Sequence, residues 1–297
     1  MRILVTGKSG QVTTALQELG LAQGFDVVAI GRPAFDLANP EQGLSTLIGV
    51  RPDVIVSAAA YTAVDKAEGD AEMAQRVNEI GAAALANLAA KLDVPIVYLS
   101  TDYVFDGSKP SAYVETDATN PLGVYGCSKL RGEQAVALAT SNHAILRTAW
   151  VYSPFGQNFL KTMLKLAATR PELRVVDDQH GNPTSALDIA DAIFTVARNM
   201  IARPGDSALR GIFHMVGMGE ASWADFATKI FAFSAELGGP SAEVQKISTA
   251  EYPTAARRPV NSCLNTAKLQ SAHGVSMPFW PESTHETVRR LLTTGIE

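Results

Sequence analysis

Cysteine is nearly absent from this chain, with two residues in 297, Cys127 and Cys263. Two distant thiols cannot form a disulfide framework, and they show no metal-ligand spacing. Cationic side chains do not cluster either. The 25 Lys and Arg are outnumbered by 30 Asp and Glu, leaving a formal net charge of −5 and no basic stripe to meet nucleic acid. Long apolar runs are also missing. The alanine-rich stretch 81–90 is broken by Asn87 and followed by Lys91 and Asp93, so it is expected to be a packed helix and not a membrane span. The opening Met1-Arg2-Ile3-Leu4-Val5-Thr6 carries one charge and a very short apolar run, unlike a signal peptide. The cytoplasm is the expected compartment, with no membrane and no nucleic acid among the partners. There is no internal repeat, low-complexity segment or long linker.

What is present is a globular composition, 46% apolar and 19% charged, in a chain long enough for one large or two modest domains. The first half alternates short β-branched runs with helical stretches. Strands are expected at 3–6, 26–30, 53–57, 94–100 and 144–148. Helices are expected at 10–23, 40–49, 71–92 and from 124 onward. That alternation argues a parallel sheet covered by crossover helices. Beyond Trp150 the pattern loosens, with helices expected at 159–168, 187–200 and 281–292 and strands at 173–176 and 211–216. Ser222 is positioned to N-cap a helix running to about Glu236.

The stretch from Ser100 to Lys129 carries the chemistry. The strand Val94-Pro95-Ile96-Val97-Tyr98-Leu99 leads into Ser100-Thr101-Asp102-Tyr103, and a helix beginning near Val124 carries Tyr125 and Lys129. Residues four apart on a helix share one face. A phenol beside an ammonium is easier to ionise, and the Thr101 hydroxyl could complete a grip on a carbonyl oxygen. That is acid chemistry for a ketone. A Tyr and a Lys at this spacing also occur by chance on many helices, so context has to decide.

Part of that context is Thr6-Gly7-Lys8-Ser9-Gly10-Gln11-Val12-Thr13, which sits between the first strand and the first helix. A pyrophosphate needs glycines there, for a tight turn and for close backbone approach at a helix N-terminus. Gly-rich turns also follow strands without any ligand, and no Gly-Lys-Ser/Thr closes this one as a P-loop would. After the second strand comes Gly31-Arg32 and no acid. An acid would suit the ribose of NAD, whereas Arg32 suits the 2′-phosphate of NADP; an ordinary solvated arginine is the alternative. Ala58, Ala59 and Ala60 end the third strand with small side chains, which either admit a cofactor or simply pack the core. NADPH is the expected cofactor, with NADH open. The fold class expected is α/β, a Rossmann-type doubly wound parallel sheet with a smaller C-terminal α/β substrate domain. Residues 1–150 would form the dinucleotide-binding domain, with later segments returning to it, and 151–297 mainly the substrate-binding domain.

Seven stretches now resemble one family along nearly the whole chain: Gly7-Lys8-Ser9-Gly10-Gln11, Ala58 through Glu68, Ser100 through Gly107, Tyr125 through Lys129, Arg147 through Tyr152, Asp178 through Thr184, and Ala256 through Ser262. Together they resemble the dTDP-4-dehydrorhamnose reductases, extended short-chain dehydrogenase/reductases of nucleotide-sugar metabolism. The Tyr-Lys pair is shared by the superfamily, whereas the segment around Asp65 and the Asp-Gln-His-Gly and Arg-Arg-Pro blocks are narrower. The resemblance implies reduction of the C4 ketone of dTDP-4-dehydro-L-rhamnose. Tyr125 would donate the proton, Lys129 would hold the nicotinamide ribose and lower the Tyr125 pKa, and Thr101 would bind the reacting oxygen. Asp102 would place the sugar, Trp150 would bound its pocket, and Arg257 would meet the diphosphate. Gly7, Gly10, Gln11, Val12, Arg32, Asp36, Leu37 and Ala58–60, with Tyr125 and Lys129, are the cofactor contacts expected. The catalytic set is Thr101, Tyr125 and Lys129.

Three positions depart from the family. Thr13 replaces a glycine, Gly123 stands where asparagine is common, and Ala149 replaces a common serine. The family has been linked to a divalent metal at a dimer contact. The first helix has no acidic cluster beyond Glu18, so no metal is expected, and a homodimer remains open. Taken without the resemblance, Trp150 could be a core aromatic, Asp102 a turn cap, and Arg257 and Arg258 solvated charges. His180 and His214 are read as structural. Two rival functions remain. One is a non-catalytic NADP-binding regulatory subunit on the same scaffold, as in methionine adenosyltransferase, which would not require an intact Thr101, Tyr125 and Lys129. The other is a nucleotide-sugar epimerase or dehydratase, which would usually need a further acid and base beside Thr101.

Overall fold

The structure is a computed structural model, and it describes residues 1–295. Its first half contains β1 (Arg2–Thr6), α1 (Gln11–Gln23), β2 (Asp26–Ile30), α2 (Leu44–Gly49), β3 (Val54–Ser57), α3 (Val64–Ala67), α4 (Ala71–Gln75), α5 (Gly81–Leu92), β4 (Ile96–Thr101), α6 (Val124–Ala139) and β5 (His143–Thr148). The second half contains β6 (Val151–Tyr152), α7 (Phe159–Ala167), β7 (Glu172–Val176), β8 (His180–Gly181), β9 (Thr184–Ser185), α8 (Ala186–Ala202), β10 (Gly211–His214), β11 (Ala221–Ser222), α9 (Trp223–Glu236), β12 (Glu243–Ile247), α10 (Ala267–His273) and α11 (Trp280–Thr294).

Six strands form a parallel sheet in the order β10-β5-β4-β3-β1-β2. Strand side chains alternate faces, and the sequence uses both. Ile3, Val5, Val54, Val56, Val97 and Leu99 pack against α1 and α8. Leu4, Ile55, Ile96, Tyr98 and Ile145 pack beneath α5 on the other face. Both faces are therefore buried, as a parallel sheet requires. The order reverses between β1 and β3, which opens a crevice at their carboxyl ends.

A second apolar cluster lies in the C-terminal half, where Leu160, Leu164, Phe226, Ile230, Val288 and Leu291 join α7, α9 and α11. Two segments from this half return to the sheet. β10 pairs with β5, and α8 packs beside α1 within the first cluster. Ser222 does cap α9, in a capping box with Asp225.

The expected helix over 71–92 is present and continuous, but its middle is wound differently. A π-helical turn, Arg76–Ile80, separates α4 from α5 and brings Asn78 inward, fully buried. Such turns carry no sequence period of their own, so the apolar pattern reads straight through them. The expected helix over 40–49 is likewise a 3-10 turn, Pro40–Gln42, followed by α2. No helix among the described residues is long and apolar enough to cross a membrane.

Candidate active site

The crevice is shaped by small residues. Gly7 leaves β1 with φ +102, a conformation that L side chains avoid, and its N–H donates to Ile30 O at 2.8 Å. A Cβ on Gly7 would lie 3.4 Å from the Ala59 side chain, and one on Gly31 would lie 3.2 Å from Gly7 Cα. The Thr6 hydroxyl accepts from Ala59 N at 3.2 Å, tying the two walls together. Gly10 starts α1 without any side-chain cap or acidic first turn, so the N–H groups of Gln11, Val12 and Thr13 have no intrahelical acceptors. Thr13, where a third glycine was expected, is buried beneath the turn with its hydroxyl 3.4 Å from Thr6 O. The cradle therefore fits a dinucleotide pyrophosphate.

Around it the expected contacts divide. Arg32 is exposed, just past β2, with no ion pair among the described residues. Asp36 turns its carboxylate onto Ala38 N at 3.0 Å, and Leu37 is buried in the core. The Gln11 side chain points away from the crevice. Its amide donates to Val151 O at 3.2 Å, and its oxygen accepts from Ser153 Oγ at 2.7 Å and Asn158 Nδ2 at 2.9 Å. Only the Gln11 backbone faces the cradle. Val12 is half-buried against the first core cluster.

At the end of β4, Thr101 and the α6 pair converge. The Thr101 hydroxyl lies beside the Tyr125 phenol, donates to Asp102 Oδ1 at 3.0 Å and accepts from Tyr103 N at 3.2 Å. Lys129 is buried, and its ammonium donates to Leu99 O at 2.6 Å and to Tyr98 OH at 2.8 Å. Tyr98 OH in turn donates to Asn78 O at 3.1 Å. Asn78 Nδ2 donates to Ser128 Oγ at 2.9 Å, and Ser128 Oγ donates to Tyr125 O at 2.8 Å. One turn beyond Lys129, Glu133 is buried in a two-pronged pair with Arg147, at 2.9 and 2.7 Å. Tyr125, Lys129 and Glu133 thus share one stripe of α6. Gly132 lets this stripe close, because a Cβ there would collide with Asn78 O and Tyr98 OH.

The electrostatics differ from the sequence expectation in one respect. Burial holds the Tyr125 phenol well above its ordinary range, the nearby Thr101 hydroxyl draws it back, and Asp102 adds to the rise. Lys129 does not lower it in this structure, because its ammonium is turned to Leu99 O and Tyr98. Burial pulls Lys129 itself down to about 7, against the opposing charge of Glu133. Asp102 is also buried, and burial raises its carboxyl to about 6 despite the Ser262 and Thr101 hydroxyls. Its Oδ2 has no hydrogen-bond partner among the described residues.

α6 lacks a side chain at its N-cap, Gly123. The cap comes from Glu68, just after α3, whose Oε1 accepts from Val124 N at 2.9 Å. A Cβ at Gly123 would lie 2.6 Å from that oxygen. Ala149, the third departure, is buried in a small apolar cluster with Phe105 and Tyr113.

Trp150 occupies a strained backbone, φ +46, of the kind concentrated at functional sites. Its ring stacks on Trp223 at 3.6 Å between centroids and 6° between planes, and its other contacts include Gly181. Of the two neighbouring arginines, Arg257 is exposed, whereas Arg258 is partly buried and paired with Asp65 at 2.8 Å. His214 is buried, with Nδ1 3.1 Å from Tyr113 O. His180 adds a strand pairing at Ser222. Glu18 on α1 is held by Arg290 at 2.6 and 2.7 Å. No group of three or more His, Cys, Asp or Glu fit to hold a metal ion occurs among the described residues.

A family model described as the RmlD substrate binding domain matches residues 1–293. The chain belongs to the dTDP-4-dehydrorhamnose reductase family. It is 53% identical over 295 residues to a dTDP-4-dehydrorhamnose reductase of Sinorhizobium fredii, covering 99% of each chain. It is also similar to the crystal structure of a dTDP-4-dehydrorhamnose reductase from Clostridium acetobutylicum, at 35% identity and a TM-score of 0.90, covering 98% of this chain and 100% of that one. A Bacillus anthracis reductase, crystallised in complex with NADP, matches at 35% identity and a TM-score of 0.88 over 96% of this chain and 98% of that one.

The sequence reading of this reductase-family chain missed Asn78, Tyr98, Glu133, Arg147, Trp223 and Glu68. One signal was available for Glu133, which continues the Tyr125–Lys129 spacing by another four residues. Glu68 and Arg147 lie within the stretches that resemble the family but were given no role there, and nothing local marked Asn78, Tyr98 or Trp223.

Proposed function

We propose that this chain reduces the C4 ketone of dTDP-4-dehydro-L-rhamnose to dTDP-L-rhamnose with NADPH, with NADH as the alternative donor. One observation carries the reading. In a chain 53% identical over its length to a dTDP-4-dehydrorhamnose reductase, Thr101, Tyr125 and Lys129 meet at the end of β4 beside a cradle shaped for a dinucleotide.

The nicotinamide, when bound, supplies the hydride. Gly7, Gly10 and the backbone of Gln11 and Val12 would hold the pyrophosphate, Ala58–Ala60 would line the crevice, and Arg32 would meet the 2′-phosphate. Tyr125 donates its phenolic proton to the ketone oxygen. The raised phenol pKa keeps that proton in place until charge develops on the oxygen. Thr101 would hold the same oxygen once its hydroxyl turns its single hydrogen from Asp102 Oδ1 to the ketone. Lys129, with two of its three donors engaged, has one left for the cofactor ribose. Asp102 and Trp150 would bound the sugar, and Arg257 would meet the diphosphate from its exposed position.

In domain terms, residues 1–150 with the returning segments would bind the dinucleotide, and 151–297 mainly the sugar nucleotide. A homodimer is the assembly proposed, on the resemblance alone, and the cytoplasm is the compartment proposed. The test is product identity. The purified chain is incubated with NADPH and dTDP-4-dehydro-L-rhamnose made in place, and the sugar nucleotide is identified by NMR. Formation of dTDP-L-rhamnose supports the reading, and NADPH oxidation with a different sugar product would reject it.

A further inference from the structure

The segment from Ala256 to Ser262 lies over the active-site turn that follows β4. Pro259 and Val260 press on Gly107, and Ser262, whose hydroxyl donates to His180 O at 3.2 Å, lies beside the Asp102 carboxyl. α3 anchors the segment. Asp65 accepts from Ala256 N at 3.0 Å and from Arg258 Nη2 at 2.8 Å. The same short helix is followed by Glu68, which caps α6, so one bracket holds both the roof and the helix bearing Tyr125.

Arg258 stands in the middle of this roof. Its guanidinium lies beside the Tyr103 phenol, and the Tyr103 ring meets the Tyr125 ring edge-on at 5.7 Å between centroids. Arg258 Nη1 is buried and has no hydrogen-bond partner among the described residues. A buried, charged donor left unsatisfied is costly, and native structures seldom leave one without a purpose.

We infer that Arg258 is a substrate-binding and specificity-determining residue, whose Nη1 donates to a hydroxyl oxygen of the sugar next to the reacting carbonyl. The inference rests on the reductase reading above. Two features favour the sugar over the diphosphate. The Asp65 carboxylate already balances the Arg258 charge, leaving a directional donor suited to a neutral oxygen. The position beside Tyr103 and Tyr125 is also the reacting end. In a 4-keto sugar nucleotide, the reacting carbon lies across the ring from the carbon that carries the diphosphate.

Calorimetric binding of dTDP and of dTDP-L-rhamnose, with NADP present, tests this in wild type and in the Arg258→Met, Arg258→Lys and Asp65→Asn variants. Retained NADP binding checks that each variant is folded. The inference expects Arg258→Met to weaken dTDP-L-rhamnose about tenfold or more, with dTDP changed less than about twofold. Arg258→Lys, which keeps the charge but not the planar fork, should show the same selective loss. Asp65→Asn loosens the roof and leaves the donor, so the ratio of the two affinities should stay near that of wild type. An equal loss of both ligands would make the contact a diphosphate one and overturn the inference. Unchanged binding, or an Asp65→Asn ratio matching that of Arg258→Met, would also overturn it. If wild type bound neither ligand, the reductase reading would itself fail, and the inference with it.

Discussion

Asp102→Asn should stabilise the protein at neutral and alkaline pH, and the size of the gain follows from burial. The Asp102 carboxyl is 2% exposed, and only one of its oxygens accepts a hydrogen bond from a side chain, the Thr101 hydroxyl at 3.0 Å. Burial raises its pKa from 3.8 to about 6. The folded state therefore holds this proton more tightly than the unfolded chain does. The resulting stability is fully present below about pH 4 and is lost as pH rises through about 6. A rise of this size corresponds to about 3 kcal/mol, the penalty that ionised Asp102 imposes near pH 8. Near pH 5 roughly half of that remains, because the unfolded carboxyl is ionised while the folded one is not. Asparagine keeps the acceptor for Thr101 and carries no charge. Urea unfolding of wild type and Asp102→Asn at pH 5 and pH 8 reads the difference. The variant should gain up to about 3 kcal/mol at pH 8 and clearly less at pH 5. A pH-independent difference, or a variant less stable at pH 8, would refute the reasoning.

The buried stripe of α6 yields further expectations. Glu133→Gln leaves Arg147 buried without its anion and should cost about 3–5 kcal/mol in urea unfolding. It also removes the charge that holds the Lys129 pKa up, so the alkaline limb of the kcat/KM profile, near pH 7 in wild type, should move to lower pH. Gly132→Ala should destabilise the fold even though alanine favours helices by about 1 kcal/mol. The added methyl collides with Asn78 O and Tyr98 OH, and overpacking of about 1–3 kcal/mol plus a lost hydrogen bond outweighs the propensity. A raised urea midpoint would contradict this. Arg32→Ala should raise KM for NADPH about tenfold and leave KM for NADH nearly unchanged, which steady-state kinetics with both cofactors can check.

The parts legible in the sequence were those written locally. Strand runs such as Asp26–Ile30, the glycine turn after β1 and the four-residue step from Tyr125 to Lys129 each declare themselves within a short window. What stayed hidden depends on residues far apart in the chain. Asn78 reaches Ser128 across 50 positions, through a π turn that breaks no apolar pattern. Asp65 meets Arg258 across 193 positions, so nothing in Ala256-Arg257-Arg258 told which arginine faces inward. Gln11 sits in the glycine turn, yet its side chain is claimed by Ser153 and Asn158. The rise in the Tyr125 pKa is hidden from the sequence for a related reason. Proximity of an ammonium was readable, but the depth of burial and the acceptors that hold Lys129 were not.

Tyr125 as the proton donor in a ketone reduction is the claim on which the chemistry rests. The first measurement is therefore the rate of NADPH oxidation with dTDP-4-dehydro-L-rhamnose, wild type beside Tyr125→Phe, with cofactor affinity measured on both. Wild type should turn over, and the variant should lose about 10²–10⁴-fold in kcat at unchanged NADPH affinity. Comparable turnover by the variant, or none by a wild-type protein that binds NADPH, would contradict it.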